Sequence, residues 1–230
     1  MDIAENLNNI KNLIKEAAEK SHRDPSEVQL VTVTKTVPVS RIQQAIDAGV
    51  TIIGENRVQE AKMKFEELNR DVEWHLIGHL QTNKVKIAVE LFDLIHSVDR
   101  EEVAQEIQRR AMALNKKQKV LIQVNTSGEA SKSGCSPEEA EHLIRVISMM
   151  ENIHIQGLMT IGPLTEAQES VRNSFHLLKT IFLQMKELNL KNVEMKHLSM
   201  GMSSDFQLAI EEGSTLVRIG SAIFGARNYL

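Results

Sequence analysis

The chain has 230 residues, 42% of them hydrophobic and 25% charged, enough to bury a full core. A formal charge of -4 leaves no surplus of basic surface for a phosphate backbone, and an aromatic content of 3% gives few platforms for stacked bases, which argues against nucleic acid as a partner. No signal-peptide core or spanning apolar stretch occurs and Cys135 stands alone, so the expected compartment is a reducing cytoplasm.

From Met1 to Lys20, the apolar residues Ile3, Leu7, Ile10, Ile14 and Ala17 recur at spacings of four and three, which predicts an amphipathic helix. Extended apolar runs then alternate with charged amphipathic stretches almost to the end. The predicted strands are Gln29 to Lys35, Thr51 to Glu55, Glu73 to Gly78, Leu94 to Val98, Val120 to Thr126, Gln156 to Ile161, His197 to Met200 and Thr215 to Gly220. Between them, segments such as Arg41 to Ala48, Val58 to Leu68 and Glu101 to Leu114 are long enough to cross over a parallel sheet. Gly49 and Gly213 stop helices just before the second and eighth strands. Eight βα units in this length predict an α/β fold of the (β/α)8 TIM-barrel type, one domain over residues 1–230, with residues 1–21 as an extra helix packed on the barrel. The irregular stretch Ser127 to Pro137 follows strand five and reads equally as a lid or as a solvent-exposed connection.

A barrel gathers the carboxyl ends of its strands into one mouth, where functional groups collect. Lys35 closes the first run, and a primary amine held there suits imine formation with a carbonyl compound, although strand-end lysines also serve solubility. Ser199-Met200-Gly201-Met202-Ser203-Ser204-Asp205 offers a glycine, hydroxyls and a helix N-cap at Ser203 or Ser204. Arg218-Ile219-Gly220-Ser221 repeats the pattern. Phosphate sites in barrels form after strands seven and eight, so these segments imply a phosphate, while each alone also reads as an ordinary turn. An imine-forming lysine facing a phosphate cup suggests pyridoxal 5'-phosphate. Ser97 and Thr160 read as ordinary hydrophilic strand ends, and the ten methionines as mostly core filling.

Five separated segments, residues 31–35 (VTVTK), 53–60 (IGENRVQE), 74–84 (WHLIGHLQTNK), 198–205 (LSMGMSSD) and 217–225 (VRIGSAIFG), resemble those of the YggS/PROSC family of pyridoxal phosphate homeostasis proteins. The similarity spans almost the whole chain, with the motifs in order. It implies the barrel fold of the amino-terminal part of alanine racemase. It also implies that Lys35 is the lysine that forms the internal aldimine, that Arg218 faces the pyridine nitrogen, that Ser199, Gly201, Gly220 and Ser221 hold the phosphate, and that Asn56 and Met200 line the ring.

An arginine beside the pyridine nitrogen keeps its own protons and leaves the ring a weak electron sink. Racemisation needs a second acid/base, which alanine racemase takes from a further domain and subunit. The only tyrosine here, Tyr229, is penultimate. The expected function is therefore a non-catalytic carrier that buffers the cofactor in a monomer and hands it to amines or to pyridoxal phosphate-dependent acceptor enzymes. A weak amino-acid racemase or decarboxylase and a cofactor-free Schiff-base aldolase are the rival readings. His75 and His79 straddle a strand end without further ligands, so no metal is expected; Cys135 has no activating neighbour, and Lys84 and Lys132 read as surface charge or as secondary phosphate or aldehyde contacts.

Overall fold

The computed structural model describes residues 2–68, 71–129, 131–165 and 167–225. Eight parallel strands close into a barrel in chain order: β1 (Gln29–Val33), β2 (Ile52–Glu55), β3 (Glu73–Leu76), β4 (Leu94–Val98), β5 (Gln118–Gln123), β6 (Ile153–Met159), β7 (Val193–Ser199) and β8 (Leu216–Ile219). The (β/α)8 expectation is met. β8 returns to β1 in parallel register, with Val31 opposite Arg218 and Thr32 opposite Ile219. Alternation along each strand separates two cores. Val31, Val33, Ile52, Leu94, Leu121, Met159 and Leu216 form the inner cluster, and a larger set joins the outer strand faces to the helices.

The helices following the strands are α2 (Val39–Asp47), α3 (Val58–Leu68), α4 (Val85–Leu91), α5 (Glu101–Ala113), α6 (Ala140–Ser148), α7 (Gln168–Glu187), α8 (Phe206–Glu211) and α9 (Ser221–Phe224). Four residues of α9 are too short to cover the seam between β8 and β1. The amino-terminal helix α1 (Ile3–Lys20), capped by the Asp2 carboxylate, covers it instead. Its buried stripe of Ile3, Leu7, Ile10, Ile14, Ala17 and Ala18 packs against Ala45, Phe206, Ile210, Val217 and Ile223, and Asn6 Nδ2 donates to the Ile223 carbonyl at 2.9 Å. The predicted extra helix thus completes the outer ring.

Three boundaries differ in ways that matter. β1 ends at Val33, two residues before the predicted end, so Lys35 lies in a turn whose next residue, Thr36, has φ +61°. β7 begins at Val193 because exposed Glu194 and Lys196 alternate with buried Met195 and His197, a short amphipathic pattern that the charges disguise. α8 starts after Asp205, which replaces Ser203 or Ser204 as the N-cap and turns its carboxylate back to accept from Met202 N at 2.6 Å.

Candidate functional site

Lys35 continues the inward alternation of Val31 and Val33 and is partly exposed. It lines a cleft of about 280 Å³ together with Val33, Thr36, Arg41, Gly220 and Ser221, so the lysine and the start of α9 share one opening. Beneath the turn sits a second, buried lysine. Lys64 Nζ donates to the Thr34 carbonyl at 2.7 Å, to Glu55 Oε1 at 2.7 Å and to Glu60 Oε1 at 2.6 Å, while Thr34 Oγ1 donates to the same Glu55 oxygen at 2.6 Å. Burial raises the Glu55 carboxyl above its usual range against the pull of Lys64. Burial also acts upward on Glu60, but its bonds to Lys64 and to the Thr36 amide more than offset this and hold it low. This network anchors residues 34–36, and with them the stem of Lys35.

On the opposite side of the β1–β8 seam, Arg218 projects into the barrel, 4% exposed. Its Nη1 donates to Ser199 Oγ at 2.5 Å and its Nη2 to the Thr160 carbonyl at 2.8 Å. Among the described residues it makes no ion pair, and burial draws the guanidinium down to about 10, which leaves it charged at neutral pH. Gly201 has φ +92°, and a Cβ there would meet Ala209 Cβ at 2.5 Å; its carbonyl accepts from Arg218 N. At Gly220 a Cβ would meet the Val33 carbonyl oxygen at 2.9 Å, so glycine lets the end of β8 close on β1. Ser221 and Ser203, both at the mouth, touch through their hydroxyls at 3.1 Å. Asn56 follows β2, where Gly78 permits a close approach to its backbone, and its buried Oδ1 has no hydrogen-bond partner among the described residues.

Two of the expected residues are engaged within the protein itself. The Ser199 side chain is fully buried and engaged by Arg218 and His96 within the barrel. Met200 is fully buried in the outer core, with its N–H given to the Leu216 carbonyl and its own carbonyl accepting from Ser214, so its side chain does not line the opening.

The family model for the alanine racemase N-terminal domain matches residues 5–228. A pyridoxal phosphate homeostasis protein of Aquifex aeolicus is 44% identical over 230 residues, covering all of both chains. That of Escherichia coli is 41% identical over 232 residues, covering 99% of this chain and 98% of its own. The chain belongs to the pyridoxal phosphate homeostasis family. Among solved structures, PipY of Synechococcus elongatus with pyridoxal phosphate bound is 36% identical with a TM-score of 0.84, covering 97% of this chain and all of that one. Alanine racemase of Clostridium difficile, 19% identical with a TM-score of 0.81, shares the fold; this chain covers 57% of it.

As a homeostasis-family barrel the chain carries polar residues that its motifs did not expose. His96 Nδ1 lies 2.9 Å from Ser199 Oγ, and its Nε2 lies 3.0 Å from His75 Nδ1, all within the barrel. Histidines spaced two residues apart from apolar inner positions on β3 and β4 were the available signal. His79, four residues on from His75 and past the end of β3, is exposed and 3.7 Å from Asp99. The 127–137 stretch is tied down: Lys132 Nζ reaches Glu129 Oε1 and the Gly162 carbonyl, and Asn125 Nδ2 donates to the Glu129 carbonyl. Burial pushes the Cys135 thiol up to about 12. Tyr229 lies outside the described residues. No helix among the described residues is long and apolar enough to cross a membrane.

Proposed function

We propose that this protein holds pyridoxal 5'-phosphate reversibly through Lys35 as a cytoplasmic monomeric carrier in vitamin B6 homeostasis. The observation that carries the reading is that Arg218 on β8 sits opposite Val31 of β1, with Lys35 four residues on in the same inward alternation, just past the end of that strand. The residues fit the group: Asn56 Oδ1 awaits a donor, Gly220 lets the end of β8 close on β1 beside Lys35, and Ser203 and Ser221 meet at that rim. The relatives' family name and the cofactor bound by PipY support the same assignment.

When bound, the cofactor supplies an aldehyde that condenses with a primary amine and a pyridine ring able to withdraw electrons. Lys35 would supply the primary amine that holds the group. Gly201, Gly220, Ser203 and Ser221 receive the phosphate. Arg218 faces the ring nitrogen as a permanent donor, which disfavours protonation there and weakens the ring as an electron sink. That choice suits storage and release over carbanion chemistry, so the protein has no turnover of its own and passes the cofactor to acceptor enzymes. Incubation with amino acids in deuterium oxide tests this: no exchange at the α-carbon is expected, and exchange at an enzymatic rate refutes the carrier reading. Light scattering tests the monomer.

A further inference from the structure

A continuous polar chain crosses the interior of the barrel from mouth to floor. Arg218 Nη1 donates to Ser199 Oγ, Ser199 Oγ lies 2.9 Å from His96 Nδ1, His96 Nε2 lies 3.0 Å from His75 Nδ1, and His75 Nε2 ends 3.1 Å from Glu73 Oε1. Ser199 and His96 are fully buried, and His75 is 2% exposed. The last contact is too oblique for a hydrogen bond, and His75 Nε2 has no hydrogen-bond partner among the described residues.

The Arg218 end fixes the protons along the chain. Arg218 can only donate, so the Ser199 oxygen accepts from it, and among the described residues the Ser199 hydroxyl is left to donate to His96 Nδ1. An accepting Nδ1 puts the hydrogen of His96 on Nε2, which then donates to His75 Nδ1. With its Nδ1 accepting, His75 carries its own hydrogen on Nε2, the nitrogen nearest Glu73. We propose that His96 and His75 are positioning residues that, as a relay of hydrogen bonds donated from Ser199 through His96 to His75, lock Ser199 as an acceptor and so fix the guanidinium of Arg218.

Charge supports the neutral form of His96. Burial, then the neighbouring His75, Arg218 and His197, holds His96 well below its ordinary value. Around His75 lie Glu73 on β3, Lys119 on β5 and His197 on β7, and the Glu73 carboxyl is held low by its contact with His75. A proton on His96 would place a second cation beside Arg218 in a dry interior. The relay thereby adds no second cation beneath Arg218. Its effect on the cofactor rests on the proposed function, whereas the tautomers do not.

Nitrogen NMR of histidine-labelled protein, with and without added pyridoxal phosphate, reads the relay directly. His96 and His75 are expected as neutral Nε2–H tautomers from pH 6 to 8 in both samples. An Nδ1–H or charged ring at either position overturns the proposal. In parallel, His96→Leu removes the acceptor for Ser199, while His96→Asn retains an oxygen where Nδ1 stood. His96→Leu is expected to bind pyridoxal phosphate roughly tenfold more weakly and to make its visible band pH-dependent between 6 and 8, with His96→Asn restoring the wild-type profile. Identical profiles for His96→Leu and wild type overturn the positioning role. Wild-type protein that takes up no cofactor refutes the proposed function instead, leaving the tautomers to decide the relay.

Discussion

Lys64 Nζ donates to the main-chain carbonyl of Thr34 at 2.7 Å, so one lysine holds the backbone from which the next residue, Lys35, projects. The same ammonium neutralises the buried Glu55 through its Oε1, while Oε2 has no hydrogen-bond partner among the described residues. Removing it uncovers a buried acid and releases the turn together. Lys64→Met is expected to destabilise the fold by about 3–5 kcal/mol and to weaken cofactor uptake. Pairing it with Glu55→Gln should recover part of the stability. Chemical denaturation of the single and double variants checks this, and additive losses would show that the two residues act separately.

Gly201→Ala and Gly220→Ala test the close approaches at the rim. The added Cβ at Gly201 meets α8 at 2.5 Å with φ at +92°, and the one at Gly220 meets the Val33 carbonyl at 2.9 Å. Each is expected to cost about 1–3 kcal/mol, with Gly201→Ala the larger because overpacking adds to backbone strain. Thermal melts measure the stability, and cofactor titration of the folded fraction measures the damage to the rim.

Folding stability should fall on mild acidification. His96 and His197 have pKa values lowered by burial, His197 to about 4, so below about 6.5 the unfolded chain binds protons that the native one does not. Stability from these groups is complete above about pH 6.5 and declines towards the folded-state values. Each proton contributes a limiting slope of about 1.4 kcal/mol per pH unit. Denaturation midpoints between pH 7 and 5 check the sign, and His96→Asn should flatten the slope.

Replacing Arg218 with Glu reverses the charge that faces the ring on the proposed reading and cuts the bonds to Ser199 and the Thr160 carbonyl. The visible band is expected to shift and binding to weaken at least tenfold, about 1.4 kcal/mol. An unchanged spectrum would place Arg218 away from the nitrogen.

The barrel was legible because β-branched runs bounded by crossover helices leave few topologies, and β4 is bounded as its apolar pattern indicates. β7 was read four residues short because Glu194 and Lys196 sit on its outer face. At the site, Lys35 and Gly220 were readable from strand ends and motif, and they share a cleft. The depth of Ser199 and the outward side chain of Met200 were not, since one residue of register moves a side chain to the other face of the sheet. Thr160 and the His96–His75 pair escaped for a related reason: a backbone acceptor and an interior chain depend on which strands are neighbours, and no local motif records that.

The central claim is that the ε-amine of Lys35 binds the aldehyde. Protein saturated with pyridoxal phosphate, reduced with borohydride, digested and mapped by mass spectrometry should carry the pyridoxyl mass on Lys35, and the visible absorbance should vanish in Lys35→Ala. A stoichiometric label on Lys64, Lys84 or Lys132 with Lys35 unmodified, or a Lys35→Ala protein that keeps the band, would contradict it.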